Sequence, residues 1–145
     1  MMDASNGPIT CRPIGVIRTP HTDSADTPRQ PQHALGIEGR VEVDPRFEEG
    51  LAGIERYSHI VLLFAFDRAR TVHLTVTPPH DGVTRGVFAT RSPSRPNPIG
   101  MSVVRLLSRE GRVLHVADVD LLDGTPILDI KPHIVDPRFQ SPALR

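Results

Sequence analysis

The stretch that decides the fold is HIVLLFAF, residues 59–66. Every residue after His59 in this stretch is apolar, and an uninterrupted run of this kind is typical of a β-strand covered on both faces. Outward from it, short segments rich in Val, Ile, Leu and Phe recur between Gly, Pro and Asp residues, which predicts further strands. These predicted strands cover residues 14–18, 37–43, 72–77, 86–90, 102–107, 113–119 and 127–130.

One segment between the strands has a helical pattern. Asp44 can cap it, Pro45 fits its first turn, and Phe47, Leu51 and Ile54 fall on one face. No series of helices alternates with the strands, so the pattern does not indicate a doubly wound parallel sheet. Many short strands with connections rich in proline and glycine predict a mainly β fold. We expect a small, largely antiparallel β-barrel with one or two short helices.

Composition places the chain in the class of single soluble domains. It has 145 residues, of which 38% are hydrophobic, and this length is enough to bury a core without disulfides. Cys11 is the only cysteine, which excludes a disulfide scaffold and a multi-cysteine zinc site, and no metal site is predicted. No apolar run approaches the roughly 20 residues of a membrane helix, and residues 1–10 lack a signal-peptide core, so a cytoplasmic protein is predicted. We expect one domain at residues 11–139 between flexible ends at 1–10 and 140–145.

Charge is unevenly distributed although the formal total is zero. Sixteen of the 17 basic residues are arginines, which reflects either a genomic codon bias or selection for planar, bidentate anion binding. Residues 85–112 contain six arginines and one glutamate, whereas residues 113–136 contain five aspartates and one lysine. This arrangement argues against non-specific coating of nucleic acid but allows a local basic patch at residues 85–112. The two blocks can equally pair with each other across neighbouring strands.

Two segments carry polar residues that an ordinary connection does not need. DTPRQP, residues 26–31, places Arg29 beside Gln30 between stiffening prolines, although a plain proline-rich connection has the same composition. RGVFATRSPSRPNPIG, residues 85–100, carries Arg91, Arg95 and Asn97 in a loop with three prolines. Stiffness of this kind reduces the entropy that is lost when a ligand is bound.

A third segment, DVDLLDGTPILD at residues 118–129, contains the turn signal Asp123-Gly124. Its carboxylates can accept hydrogen bonds from ribose hydroxyls or from an amine, and they can equally cap turns. Elsewhere the chain has no GxSxG motif, no Walker loop and no GxGxxG motif. A nucleotide cofactor would therefore not be held by a Rossmann loop, and no catalytic residue is assigned.

The same segments together resemble a known family. PIGVIRTPH, TPRQP, GIEGRVEVDPRFEEGLAGIERYSHIVLLFAF, GVFATRSPSRPNPIGMSVVRLL and VDLLDGTPILDIKPHI follow one another over roughly residues 14–134. This combination is similar to the TsaA-like, TrmO-type family of S-adenosylmethionine-dependent methyltransferases. The resemblance implies a small β-barrel that forms a homodimer, with the cofactor near the dimer interface. It also implies N6-methylation of threonylcarbamoyladenosine at position 37 of tRNA, beside the anticodon.

The resemblance further implies a set of residues for binding S-adenosyl-L-methionine. These residues are Pro28, Arg29, Gln30, Phe66, Asp67, Arg91, Met101, Leu121, Leu122, Asp123 and Gly124. Methyl transfer is an in-line displacement, so positioning matters more than a covalent nucleophile. Either of the two arginines suits the methionine carboxylate, Asp123 suits the adenosine or the amino group, and Phe66 with Met101 suits the adenine ring. The candidates for contact with the substrate are Arg95, Asn97, Lys131 and His133.

Two positions depart from the family pattern. Asp67 stands where many relatives carry histidine, and His133 stands where tyrosine is common. Bacterial tRNA-modifying relatives also carry an additional C-terminal domain, whereas the resemblance here covers the core domain. Two other functions therefore stay open: methylation of a small metabolite, and a non-catalytic S-adenosylmethionine-binding regulatory dimer. The main expectation is a homodimeric tRNA methyltransferase that contacts the anticodon loop through the basic patch and needs neither metal nor membrane.

Overall fold

Six antiparallel strands form a closed barrel. The computed structural model describes residues 7–23, 27–28 and 31–138. The strands are β1 (Gly15–Arg18), β2 (Glu38–Val43), β3 (His59–Ala65), β4 (Thr75–Val76), β5 (Arg85–Gly86), β6 (Ile99–Glu110), β7 (Val113–Ala117) and β8 (Pro126–Pro132). The order around the barrel is β1-β2-β7-β6-β3-β8, and β4 and β5 form a separate two-stranded sheet. The predicted antiparallel barrel is therefore confirmed.

Alternating side chains fill the interior of the barrel. In β3, Ile60, Leu62 and Phe64 are buried, whereas the residues between them are only half-buried on the outer face. The fully buried core consists mainly of aliphatic side chains from every barrel strand. These residues are Ile17, Val41, Val43, Ile60, Leu62, Val104, Leu114, Val116, Val119 and Ile127. The described residues thus cover one face of residues 59–66 completely and the other only partly.

The barrel is closed by a short seam between its first and last strands. β1 pairs with β8 through Gly15 opposite Ile127 and Val16 opposite Pro126. On its other side β1 pairs with β2 over all four of its residues. β8 is held mainly by β3, with pairs from Ile60 to Phe64.

All eight predicted strands coincide at least partly with observed strands, but two predictions are mostly wrong. Residues 72–77 form a strand only at Thr75–Val76, and the prediction for residues 86–90 is wrong beyond Gly86. There the chain enters a 3₁₀ turn, Val87–Ala89. The side chain of Val87 is buried, and the backbone N–H and hydroxyl of Thr90 both donate to the Val87 carbonyl. These local bonds replace the cross-strand ladder that the apolar pattern suggested.

The predicted helical segment consists of two 3₁₀ turns, Pro45–Leu51 and Ile54–Arg56. Asp44 caps the first turn as expected, since its side chain accepts a hydrogen bond from the backbone N–H of Arg46. Gly53 lies between the turns with a φ of 87°, and this left-handed conformation interrupts a right-handed helix. Among the described residues, no helix has the length and apolar character needed to cross a membrane.

A close approach between β3 and β6 shapes one end of the barrel. Phe64 pairs with Gly100, and a side chain at Gly100 would overlap the Phe64 ring. The Phe64 ring also packs edge-to-face on Phe66, with ring centroids 5.1 Å apart. Against β8, the register shifts between Leu63 and Phe64, and such irregularities redirect side chains at the rim of a barrel. This end of the barrel carries the candidate site.

Candidate functional site

A large open cavity lies where β3 ends and β6 begins. Its volume is about 1370 Å³, which is ample for a ligand the size of a modified nucleoside. Most of its wall comes from four parts of the chain: residues 64–69, 90–95, 99–101 and 120–125. Thr27, Pro28, His33, Pro79 and His80 complete it. The cavity therefore joins segments that are far apart in the sequence and that meet because the barrel closes.

Apolar side chains form the wall nearest the barrel. Phe64, Phe66, Ile99, Met101 and Leu121 all line the cavity. Met101 is 45% exposed, so its thioether is available on the outside of β6. Aromatic rings and a methionine side chain offer a flat, polarizable surface that suits a purine ring.

A carboxylate with a fixed orientation lies in the same wall. Asp120 lines the cavity, and its Oδ1 accepts a hydrogen bond from the Ser102 hydroxyl at 2.7 Å. Ser102 is only 6% exposed and points into the barrel from β6. Within the described part of the chain, Asp120 Oδ2 has no hydrogen-bond partner. One carboxylate oxygen is thus held by the protein and the other is available to a ligand.

The turn before β8 is tied to the chain around β1. The Asp123 carboxylate accepts a hydrogen bond from the Thr19 backbone N–H at 3.1 Å. Gly124 has a φ of 80°, and its N–H donates to the Ile17 carbonyl at 2.9 Å. Leu121 and Leu122 line the cavity, whereas Asp123 and Gly124 do not. The geometry thus gives Asp123 and Gly124 a place in the turn that holds the two leucines.

Arg95 organises the loop that forms the opposite wall. One guanidinium nitrogen donates to the carbonyls of Thr90 and Ser92 at 3.0 and 3.2 Å, with the Val87 carbonyl at 3.5 Å. Arg95 also lines the cavity, but this nitrogen donates its hydrogen bonds to carbonyls of its own loop. The loop carries Arg91 to the cavity. Arg91 is exposed and makes no hydrogen bond or ion pair with any residue that the structure describes.

The β4–β5 hairpin contributes titratable groups beside this loop. His80 lines the cavity and lies 3.4 Å from Asp81. The Val83 backbone N–H and the Arg85 guanidinium hold the pKa of Asp81 below its ordinary value. Asp81 is therefore ionised at neutral pH, and the Arg85–Asp81 pair at 2.8 Å stabilises the hairpin.

Cationic and anionic groups share the rim of the cavity. Asp67 and Arg68 line it next to each other, and an Arg68 guanidinium nitrogen donates to the Asp123 carbonyl at 2.7 Å. Together with Arg91, they give the cavity both positive and negative groups. A ligand with a zwitterionic part matches this mixture better than a simple anion does.

The sequence-predicted residues fall into four groups. Pro28, Phe66, Asp67, Arg91, Arg95, Met101, Leu121 and Leu122 line the cavity. Asp123, Gly124 and Asn97 lie in the adjoining turn and loop. Lys131 and His133 lie elsewhere, since Lys131 pairs with Val61 and His133 N–H donates to the His59 carbonyl near the start of β3. Arg29 and Gln30 lie outside the described residues, as do residues 1–6 and 139–145 of the predicted flexible ends.

Sequence reasoning did not single out several cavity residues. Phe64, Arg68, Gly100, Asp120 and Thr125 all line the cavity. Four of them lie next to predicted residues in the same segments (Phe64 is the exception), so proximity to the motifs was a usable signal for them. The signal for Phe64 is its pairing with Gly100 across two strands, which appears only once the register is known.

The arginines of residues 85–112 are mostly engaged within the protein. Arg85 pairs with Asp81, Arg105 with Asp118 and Arg109 with Glu55. An Arg112 guanidinium nitrogen donates to the Val43 carbonyl at 3.0 Å. Three of the six arginines are therefore neutralised by an acidic partner, whereas Arg91, Arg95 and Arg112 form no ion pair with a described residue. Within the described residues, no group of histidine, cysteine or acidic side chains is arranged to hold a metal ion.

The chain is similar to known proteins over most of its length. The family model of the tRNA-methyltransferase O N-terminal domain matches residues 16–137. A probable S-adenosyl-L-methionine-binding protein of Pyrococcus abyssi is 54% identical over 126 residues, covering 87% of this chain and 68% of that protein. A tRNA (adenine(37)-N6)-methyltransferase of Mus musculus is 38% identical over 145 residues, covering 94% of this chain and 33% of that protein.

Solved structures agree with the sequence comparison. A crystal structure of TrmO superimposes with a TM-score of 0.79 at 42% identity, covering 95% of this chain and 63% of that one. TrmO from Pseudomonas aeruginosa superimposes with a TM-score of 0.77 at 41% identity, covering 95% of this chain and 61% of that one. This chain thus spans less than two thirds of the length of these TrmO structures. Because the family match extends over nearly the whole barrel, the chain belongs to the family of tRNA-methyltransferase O N-terminal domains.

Proposed function

We propose that this chain is an S-adenosylmethionine-dependent methyltransferase that methylates N6 of adenosine 37 in tRNA, with threonylcarbamoyladenosine as the acceptor. The observation that carries the proposal is the family match over residues 16–137. The cavity of about 1370 Å³ at the end of the barrel supports it, because both a nucleoside cofactor and part of an acceptor nucleotide need space at one place.

The cavity has a feature for each chemical part of the cofactor. S-adenosylmethionine supplies a methyl group on a positively charged sulfur, together with an adenosine, an ammonium and a carboxylate. The wall of Phe66 and Met101 suits the adenine ring, and Arg91 suits the carboxylate as a planar, bidentate donor. Asp67 supplies negative charge for the ammonium group from the neighbouring rim.

Substitution of Arg91 tests the assignment of the carboxylate. We expect Arg91→Ala to weaken binding of S-adenosylmethionine by about 10- to 100-fold, the worth of a hydrogen bond to a charged group. Isothermal calorimetry measures this directly. Arg56→Ala is the matched control, since Arg56 is exposed and does not line the cavity. Equal affinity in the Arg91→Ala variant and the parent would show that another residue holds the carboxylate.

A homodimer is the second part of the proposal. Six apolar residues form a continuous outer strip on β3 and β6, paired as Val61 with Val103, Leu63 with Met101 and Ala65 with Ile99. Ile99 and Met101 are 46% and 45% exposed, and both also line the cavity. A second copy of the chain seated on this outer strip would cover it and enclose the cavity at the same time.

Contact with tRNA is the third part. Arg68, Arg70 and Arg91 are exposed near the cavity, and arginines bind phosphate groups well through their planar fork. The formal net charge of zero favours contact confined to such a rim over a broad basic face. We therefore propose that the contact with tRNA lies at Arg68, Arg70 and Arg91 beside the cavity, instead of over all of the predicted patch at residues 85–112.

The experiment that tests the function is methyl transfer to tRNA by the purified chain. Labelled S-adenosylmethionine is incubated with tRNA that carries threonylcarbamoyladenosine, and the nucleosides are analysed by mass spectrometry. N6-methylated threonylcarbamoyladenosine is the expected product. Cofactor binding without transfer to tRNA would oppose the proposal. A subsequent incubation with a metabolite extract would then distinguish a small-molecule methyltransferase from a regulatory binding protein.

A further inference from the structure

Asp120 differs from most of the described aspartates in how its carboxylate is used. Six described aspartates accept a hydrogen bond from a backbone N–H: Asp44, Asp81, Asp118, Asp123, Asp129 and Asp136. Asp120 instead receives its hydrogen bond from the Ser102 hydroxyl. Stabilisation of the local backbone therefore does not explain why an aspartate stands at position 120.

The partner of Asp120 is equally unusual for its position. Ser102 points inward from β6 between Gly100 and Val104, and among the buried residues of the described barrel strands it is the only one with a polar side chain. A buried hydroxyl costs free energy unless it is hydrogen-bonded, and alanine at this position would avoid that cost. Here the hydroxyl is satisfied at 2.7 Å by Asp120, so the pair holds one carboxylate oxygen in a defined orientation at the cavity wall.

From this geometry we propose that Asp120 accepts the proton of the acceptor nitrogen during methyl transfer, and that Ser102 is its positioning residue. The inference rests on the proposed function. The nitrogen–carbon bond forms as the carbon–sulfur bond breaks, and the electron pair of the broken bond goes to sulfur. The N–H proton goes to Asp120 Oδ2, so the positive sulfur and the negative carboxylate both become neutral.

A carboxylate is strong enough for this task. An exocyclic nitrogen is a poor proton donor before reaction, but it becomes strongly acidic as the new bond to carbon develops positive charge on it. A positioned base that accepts the proton in the transition state typically accelerates such a reaction by about 10²- to 10⁴-fold. The base must lie within hydrogen-bond reach of the proton, and fixing Oδ1 directs Oδ2 for that purpose.

The other cavity groups able to accept a proton are less well held. Asp67 and His33 are exposed and have no side-chain hydrogen bond to the described residues. His80 is exposed on the β4–β5 hairpin and lies against Asp81. Of these cavity groups, Asp120 alone is partly buried and oriented by a buried side chain.

The test separates binding from transfer in the full chain. We expect Asp120→Asn, which keeps the shape but not the basicity, to lower the single-turnover rate at saturating cofactor and tRNA by about 100-fold or more. Calorimetry should give Kd values for S-adenosylmethionine and for tRNA within about twofold of the parent, because binding needs no proton transfer. Asp136→Asn is the matched control, since Asp136 is bound by Arg138 and does not line the cavity.

Ser102→Ala provides a second, independent variant. It should lower the transfer rate by about 10-fold through loss of orientation while leaving cofactor affinity unchanged. A single-turnover rate in Asp120→Asn equal to that of the parent overturns the inference. The inference also fails if Asp120→Asn binds S-adenosylmethionine at least 10-fold more weakly but transfers the methyl group at the parent rate when saturated. If Asp120→Asn does not fold, an unchanged rate in Ser102→Ala overturns it. Failure of the parent chain to methylate tRNA would instead refute the proposed function.

Discussion

Asp118 has a left-handed backbone conformation, with a φ of 69°, which glycine adopts readily, asparagine and aspartate occasionally, and most other residues rarely. Its Oδ1 accepts the Gly36 backbone N–H at 2.8 Å, and its Oδ2 lies 3.4 Å from the Arg105 guanidinium. One side chain therefore ties the segment before β2 to the end of β7. Because His33 lies in that segment and lines the cavity, Asp118 also supports the site.

Substitutions of Asp118 can separate its backbone role from its charge. Asparagine tolerates the left-handed conformation and keeps an acceptor for Gly36, so Asp118→Asn should cost about 1 kcal/mol or less of unfolding free energy. Alanine loses the acceptor and strains the backbone, so Asp118→Ala should cost about 2–4 kcal/mol. Urea denaturation at neutral pH measures both. Equal losses of unfolding free energy in Asp118→Asn and Asp118→Ala would contradict separate contributions from the backbone conformation and the charge.

The charge of Asp118 also predicts a pH dependence. The Gly36 N–H, followed by the Arg105 guanidinium, holds the pKa of this carboxyl below its ordinary value of 3.8. A group whose pKa is lower in the folded state stabilises that state above its ordinary value, and the contribution is lost as pH falls through the folded value. The stability difference between the parent and Asp118→Asn should therefore be complete at neutral pH and shrink below pH 3.8.

For single residues, membership of a recognised sequence motif predicted a cavity residue only where the chain stays near the cavity. Leu121 and Leu122 come just before β8 and line the cavity. Lys131 lies in the same motif, but β8 runs away from the cavity and rises about 3.3 Å per residue. The sequence shows that Lys131 belongs to the motif, whereas only the strand direction shows that it lies opposite Val61.

Among the elements, the loop between β5 and β6 owes its shape to one side chain. Arg95 connects the Val87–Ala89 turn to residues 90–92 through three carbonyls, and the prolines of residues 93–98 stiffen the remainder of the loop. A wall built in this way is ordered before a ligand arrives, which reduces the entropy lost on binding.

Arg95→Ala tests this organising role without any ligand. Removal of the guanidinium should increase hydrogen exchange at the amides of residues 87–92 by about 10-fold or more, because charged hydrogen bonds of about 1.5–3 kcal/mol are lost. Arg91→Ala is the matched control from the same loop, and its exchange should equal that of the parent. Unchanged exchange in Arg95→Ala would show that the loop is held by other contacts.

Element types were predictable where apolar periodicity is strong and less so where single residues decide. The barrel strands follow from runs of Val, Ile, Leu and Phe. The segment at residues 45–56 has an apolar face that fits a helix, yet Gly53 adopts a φ of 87° and divides it into two turns. A sequence shows that glycine can interrupt a helix, but tertiary packing decides whether it does.

For the whole molecule, the outer strip on β3 and β6 makes the dimer testable. Val103 is 40% exposed and pairs with Val61 in the middle of the strip. Val103→Glu would place an unpaired charge inside the proposed interface, and we expect a monomer by light scattering at concentrations where the parent is a dimer. Since Ile99 and Met101 belong both to the strip and to the cavity wall, cofactor affinity should fall as well.

Ile9→Glu controls for the added charge, because Ile9 is 89% exposed and does not belong to the strip. It should leave the mass in solution unchanged. A parent protein that is monomeric across the accessible concentration range would refute the dimer directly. If the Val103→Glu variant remains dimeric, the interface lies on another surface of the barrel.

The seam between β1 and β8 has a consequence for the synthesis of this chain. Before residues 126–132 exist, the remaining barrel strands can pair only as an open sheet in the order β1-β2-β7-β6-β3. That sheet has β1 and β3 as unpaired edges, and such edges are templates for association with other chains. β8 joins both edges, and the cavity wall at residues 120–125 comes directly before it. The segment that completes the cavity wall therefore leads directly into the strand that pairs with both edges.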